Sequence, residues 1–366
     1  MKKLSKLLIL IIFGTFLVSC CATKKSAQNV IPEIKNVILM IGDGMGLPDI
    51  SAAMTVSEYP LNIERCRVIG LQKTSSSSNY ITDSAAAGTA LATGNKTNNG
   101  SIGMDAQGNR VKSILEIAEE NDLATGLVST KSITDATPAS FIAHQSSRSS
   151  YEDIAADFLK TDIDVFIGGG KNNFAKRRDK LNLLDSLSFR GYEVDTTSDM
   201  VLKSTSLKIA GLTAPINNPY RLKGRENMLP AASGKAIEIL KKNPKGFFLM
   251  IEGSEIDMAG HANVADTLID ETLDFDKAVG VVLDFAKNDG HTLVVITADH
   301  ETGGVTITGG NKQAHNVKLD FSTKDHTAVM VPVYVYGPGA EKFIGIYENT
   351  EIFQKILNAY GFGQIK

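Results

Sequence analysis

Three apolar runs in this chain end in the same way. Val37-Ile38-Leu39-Met40-Ile41 runs into Gly42-Asp43-Gly44, Phe247-Phe248-Leu249-Met250-Ile251 into Glu252-Gly253, and Leu293-Val294-Val295-Ile296 into Thr297-Ala298-Asp299-His300. An unbroken apolar run of strand length, without alternation, fits a strand covered on both faces, as in a parallel sheet. In an open α/β sheet the carboxyl ends of such strands adjoin, and sites form there. Taken singly, each acidic tip fits an ordinary turn equally well. Together they place carboxylates and an imidazole along one edge. The loop Gly42-Asp43-Gly44-Met45-Gly46 is not a dinucleotide fingerprint, because its third glycine comes one residue early and Pro48 follows.

The rest of the chain alternates strands and helices. Strands are expected at 123–128, 165–167 and 331–336, and helices at 84–94, 113–121, 151–159, 231–240, 264–286 and 352–357. Pro138 suits the first turn of a helix expected to carry Phe141, Ile142 and His144. Segment 171–223 has weak periodicity and receives no assignment. The pattern predicts an α/β fold: a doubly wound, mainly parallel sheet sandwiched by helices in one domain over 35–366. A formal net charge of −3 gives no pull towards nucleic acid or an anionic membrane.

The N-terminus reads as a targeting segment. Lys2, Lys3 and Lys6 precede an apolar stretch from Leu7 to Val18, too short to span a bilayer comfortably. Leu17-Val18-Ser19-Cys20 resembles a bacterial lipobox. Residues 1–19 are therefore expected to be a lipoprotein signal, with Cys20 lipidated and 20–34 a polar tether. This makes the protein exported, periplasmic or envelope-bound, and membrane-attached through its lipid. Cys66 is then the one thiol of the folded part, most simply a small buried apolar residue.

The stretch from Ile81 to Gly94 predicts a short alanine-rich helix, capped by Thr82 or Asp83 and terminated by Gly94. Ser84 falls in its first turn, where free N–H groups and the positive dipole end favour an oxyanion or a docked phosphate. By itself this stretch fits an ordinary capped core helix equally well. Further along, Asp257 and His261 stand one helical turn apart, Asp299 and His300 are adjacent, and His326 precedes another strand. Three of only six histidines thus lie beside strand tips. Carboxylate and imidazole without thiolate suit zinc in a catalytic role.

Asp43 between glycines, Thr82-Asp83-Ser84-Ala85-Ala86, Asp135-Ala136-Thr137-Pro138, Arg148, Glu252 through His261, Asp299-His300-Glu301 and His326-Thr327 together resemble the alkaline phosphatase family, in its order. The resemblance implies phosphomonoester hydrolysis with Ser84 as the nucleophile that becomes phosphoserine. It implies two zinc ions, one held by Asp257, His261 and His326, the other by Asp299 and His300 with Asp43 bridging. Asp43, Thr137 and Glu252 would hold a third ion, magnesium, with Asp135 ordering its waters. Arg148 would clamp the phosphate of small phosphomonoester substrates, and a homodimer is implied. Met258 departs from the family, whose members often carry Lys, His or Trp after that aspartate, and the chain is short between Arg148 and Glu252 and between His300 and His326. A sulfatase would need Pro and Arg where Ala86 and Gly88 stand. A phosphodiesterase of the same superfamily, or a non-enzymatic lipid-anchored phosphate- or metal-binding protein, are the remaining readings.

Overall fold

Ten strands form one sheet, in the spatial order β14-β2-β13-β8-β1-β7-β3-β4-β6-β5. In chain order they are β1 (Asn36–Gly42), β2 (Val68–Lys73), β3 (Ala124–Ser132), β4 (Val165–Gly169), β5 (Glu193–Asp195), β6 (Ile209–Leu212), β7 (Phe247–Gly253), β8 (Thr292–Thr297), β13 (Val331–Tyr336) and β14 (Gly345–Glu348). The remaining four are short or peripheral: β9 (Glu301–Thr302), β10 (Val305–Asn311), β11 (Asn316–Phe321) and β12 (His326–Thr327). The computed structural model describes residues 33–363. The expected signal peptide, Cys20 and all but the end of the expected tether lie outside the described residues.

Strand β13 runs antiparallel to both of its neighbours, β8 and β2, and every other pairing in the sheet is parallel. The sheet is therefore mainly parallel, as expected. Strand β1 shows why its sequence is apolar throughout. Val37, Leu39 and Ile41 enter the core on one face, and Ile38 and Met40 enter the core on the other. Helix Met228–Leu240 and the long helix Ala265–Asp289 contribute to the second core; helices Ser84–Thr93, Ile114–Glu120 and Thr350–Tyr360 contribute to the first.

One segment gains an assignment and one expectation needs correction. Segment 171–223 is ordered: it supplies β5 and β6 at one sheet edge and three short helices, Lys171–Ala175, Leu183–Phe189 and Ser198–Lys203. The helix at Pro138 spans only Ala136–Ala139, so Phe141, Ile142 and His144 lie beyond it. Its start is capped by Asp135, whose carboxylate accepts from Ala136 N at 2.9 Å. Among the described residues, no helix is long and apolar enough to cross a membrane.

Candidate active site

Register brings the tips together. Ile41 pairs with Glu252 and with Thr297, so Asp43, Glu252 and Asp299 sit at three adjoining strand ends. The peptide of Asp43 donates to Gly253 O at 3.2 Å, and Gly44 N donates to Asp299 Oδ1 at 3.1 Å. Gly44 needs its glycine: its φ is +72°, and a Cβ there would meet Asp257 Cα at 2.8 Å.

Ser84 opens its helix as expected. Asp83 is the N-cap, accepting from Ala86 N at 3.0 Å, and Gly94 terminates the helix in the left-handed region at φ 71°. Asp83 does more than cap. Its second oxygen accepts from Gly100 N at 3.0 Å and from Arg148 Nη1 at 3.1 Å. Arg148 Nη2 points to Asp135 Oδ1 at 3.5 Å, so the guanidinium is held between two carboxylates.

The buried Ser84 Oγ lies 3.3 Å from His300 Nε2. The hydrogen-bond chain behind that imidazole settles its tautomer. Thr302 Oγ1 donates to Asp257 Oδ1 at 2.5 Å, which uses its proton, so His300 Nδ1 must donate to Thr302 at 3.2 Å. The lone pair on His300 Nε2 then faces Asp299 Oδ2 at 3.2 Å and Asp43 Oδ1 at 3.6 Å. Neither of those carboxylate oxygens has a hydrogen-bond partner among the described residues. The second cluster repeats the pattern. His261 Nδ1 donates to Lys324 O at 2.5 Å and His326 Nδ1 to Thr82 O at 2.9 Å. Their Nε2 lone pairs face each other at 3.1 Å and face Asp257 Oδ1 at 3.3 and 3.5 Å. Lone pairs and carboxylates converging without donors require a cation or protons between them. The donor set, imidazole nitrogen plus carboxylate oxygen, fits zinc.

Asp257, His300 and His326 offer donor atoms within 4.8 Å of one another, as do Asp43, Asp299 and His300. His300 therefore belongs to both groups, a sharing that the sequence reading did not include. Thr137 Oγ1 stands 3.5 Å from Asp43 Oδ2, and Glu252 accepts from Ser129 Oγ at 2.7 Å. The cleft over these clusters has a volume of about 430 Å³ and is lined by Ser84, Arg148, Asp257, Met258, His261 and His326. Asn99, Lys131 and Asp325 also line it, and sequence reasoning had missed all three. Lysine in a polar stretch reads as solvated surface, which hid Lys131.

Burial, followed by the charges of Asp299, Asp257 and Glu252, pushes the Asp43 carboxyl well above the ordinary range. Burial also pushes Asp299 up to about 6 and Glu252 up to about 7. Burial would raise Asp257 too, but without an ion His261 and His326 take up protons on Nε2, and the hydrogen bonds they then donate outweigh burial and hold that carboxyl well below the usual range. The hydrogen bond to Asp257 pushes His261 up to about 9.

A pH dependence follows for protein stripped of ions. Asp43, Asp299 and Glu252 bind protons more tightly folded than unfolded, because their folded pKa values are raised. Their stabilising contribution is complete below about pH 4; it is lost for Asp299 and Glu252 as pH climbs through about 6 and about 7, and for Asp43 as pH rises above the ordinary carboxylate range. His261 adds a further loss as pH passes about 9. His300, which burial holds well below the ordinary imidazole range, works in the opposite sense as pH falls below about 6.5 and offsets part of this trend, and Asp257, with its lowered pKa, does so only near and below about pH 4. The thermal midpoint of chelated protein should be lower at about pH 8 than at about pH 5.5, and added zinc should raise it more at the higher pH. Calorimetry with and without zinc checks this; an equal zinc increment at both values would contradict the clustering of these acids.

A family model described as alkaline phosphatase matches residues 34–320. Alkaline phosphatase 4 of Bacillus subtilis (strain 168) is 37% identical, with 89% of each chain covered. The alkaline phosphatase of Escherichia coli (strain K12) is 33% identical, covering 89% of this chain and 86% of that one. The solved alkaline phosphatase from the Antarctic bacterium TAB5 superposes with a TM-score of 0.87 at 46% identity, covering 91% of this chain and 100% of that one. A histidine-to-aspartate mutant of the TAB5 enzyme, with Mg bound in its M3 site, superposes with a TM-score of 0.86 at 45% identity over the same share of each chain. With strand tips, capped serine helix and histidine clusters arranged as described, the chain belongs to the alkaline phosphatase family.

Proposed function

We propose that this chain hydrolyses phosphate monoesters through a phosphoserine formed on Ser84. The observation that carries the reading is the 3.3 Å approach of Ser84 Oγ to His300 Nε2, at a helix start where two imidazole–carboxylate clusters meet. Zinc held by Asp257, His261 and His326, and by Asp299, His300 and Asp43, would supply Lewis-acid stabilisation of the entering and leaving oxygens. Ser84 Oγ attacks phosphorus as the bond to the ester oxygen breaks, and the departing alkoxide takes up the proton that Ser84 gives up. The helix start stabilises the developing charge on Ser84 through its dipole and free N–H groups. Arg148, held between Asp83 and Asp135, presents its fork to two phosphate oxygens. Water then attacks the phosphoserine, releasing inorganic phosphate and restoring the hydroxyl.

Zinc-dependent release of phosphate from an aryl phosphate, with no comparable turnover of aryl sulfate or a bis-aryl phosphodiester, tests this reading. Preferred turnover of the diester or the sulfate would overturn it.

The third ion is magnesium in this reading. Asp43, Thr137 and Glu252 offer only oxygen, which suits a hard, partly hydrated cation, and Asp135 stands two residues from Thr137 to order its waters. The TAB5 mutant, with aspartate introduced and Mg in its M3 site, supports the assignment. Protein loaded with zinc should gain activity on adding magnesium, and Glu252→Gln should abolish that gain with zinc content unchanged. Retention of the full gain in the variant would remove Glu252 from the site.

The lipid anchor on Cys20 belongs to the same proposal and places the enzyme on the envelope side of a membrane. Incorporation of labelled fatty acid should vanish in Cys20→Ala; label persisting in that variant would refute the anchor.

A further inference from the structure

Lys131 is the penultimate residue of strand β3 and lines the same cleft as Ser84 and Arg148. Its side chain is only 18% exposed, so its charge must be satisfied locally. The ammonium carries three donors. Asp135 Oδ2 accepts one at 2.6 Å. The other neighbour in reach is Met258 Sδ at 3.6 Å, an uncharged and weak acceptor. Burial works against the charged form, but Asp135, Asp43 and Glu252 outweigh it and keep the ammonium protonated. Donor capacity therefore remains on a fixed cation beside the cleft.

The electrostatic setting says what that capacity is for. Asp83 and Asp325 line the cleft beside the groups that would hold zinc, so away from those ions a phosphate dianion depends on the cations of the lining. Lys131 and Arg148 are the lysine and the arginine of the lining. Asp135 holds them on its two oxygens, Lys131 at 2.6 Å and Arg148 at 3.5 Å, so one carboxylate sets the spacing of both cations.

We propose that Lys131 is a second phosphate-binding cation of this site, donating to the substrate phosphate, directly or through one water, alongside Arg148. The inference rests on the phosphomonoester reading above. Arg148 supplies a planar fork; Lys131 supplies a compact point charge that can follow the phosphate as it shifts towards Ser84. Met258, which offers the ammonium no charge and little acceptor strength, leaves Lys131 turned to the ligand.

The test uses competitive inhibition by inorganic phosphate, with zinc and magnesium content measured on every variant. Lys131→Met should weaken phosphate inhibition roughly ten- to hundredfold, as expected for loss of one charge-assisted hydrogen bond. KM for an aryl phosphate should rise with it, and Lys131→Arg should restore part of the loss. Asp135→Asn separates contact from support. If Lys131 binds phosphate itself, the double variant Lys131→Met/Asp135→Asn should lose more phosphate inhibition than Asp135→Asn alone, since the ammonium's own contact is then removed as well as the support that Asp135 gives both cations. If Lys131 serves only to fix Asp135, Lys131→Met and Asp135→Asn should weaken inhibition alike and the double variant no further, which would overturn the proposal. So would unchanged inhibition in Lys131→Met. Arg148→Ala run in parallel identifies which reading fails. Weakened inhibition there, with none in Lys131→Met, sinks Lys131 alone; no effect in either variant sinks the phosphate-binding reading of the cleft.

Discussion

Replacing Ser84 with alanine should lower phosphomonoester turnover by on the order of 10³–10⁶-fold, the range in which loss of a covalent nucleophile falls when the rest of a site survives. The fold should not suffer. Ser84 is buried at the helix start, but Asp83, not Ser84, caps that helix, and its neighbours Ala85, Ala86 and Ala87 carry the packing. Zinc content should also be unchanged, because the imidazoles and carboxylates of both clusters are held by their own contacts with Thr302, Lys324 and Thr82. Acid quenching of the parent enzyme during turnover of a labelled phosphate ester should trap label on the peptide that contains Ser84. Residual activity above a tenth of the parent in Ser84→Ala, or label on another peptide, would remove Ser84 as the nucleophile.

The second large effect is on stability and lies far from the chemistry. The Arg225 side chain is 1% exposed and donates through Nη2 to Glu271 at 2.5 Å and to Asp274 at 2.8 Å, both on the helix Ala265–Asp289 and both buried. Its Nη1 reaches Pro219 O at 3.1 Å, which ties the loop after β6 to that helix. Arg225→Met strands the buried Asp274 carboxylate and leaves Glu271 with only the Arg221 N–H, and should cost about 3–5 kcal/mol. Replacing Arg225, Glu271 and Asp274 together with apolar residues of similar volume should recover most of that loss, since the charges then no longer need each other. Urea unfolding of the three proteins measures both effects; a single variant within about 1 kcal/mol of the parent would show that the network carries little.

How much of this was legible in the sequence depended on burial. Strands β1, β7 and β8 are covered on both faces, so their sequences carry no polar interruption and their tips stood out. Strand β2 alternates only partly and is half exposed, while β5 has three residues and packs at the edge, so neither left a clear period. The hairpin β10–β11 is exposed along most of its length and contains Gly309 and Gly310, so nothing in its pattern asked for a strand. In the site, Asp43, Asp257, His261, Asp299, His300 and His326 were readable because carboxylates and imidazoles at strand tips are chemically conspicuous. The sharing of His300 between both clusters was not readable, since it depends on Thr302 turning the ring. Lys131 was missed because nothing local distinguishes a lysine facing water from one drawn under Asp135 and Met258.

The two-residue strands β9 and β12 pair antiparallel, His326 with Thr302 and Thr327 with Glu301. Gly303 N also bonds to Asp325 O at 3.0 Å. These bonds tie off both ends of the 303–325 excursion at its base. Its length can then vary without altering the separation of His300 and His326, and each doubling of a flexible loop closed in this way costs only about 0.6 kcal/mol. The hairpin is a site where foreign sequence could be grafted, such as an epitope, a tag or a small binding domain. The imidazole–carboxylate clusters would not register the change as long as the staple at 301–302 and 326–327 is kept together with Lys324, whose carbonyl holds His261.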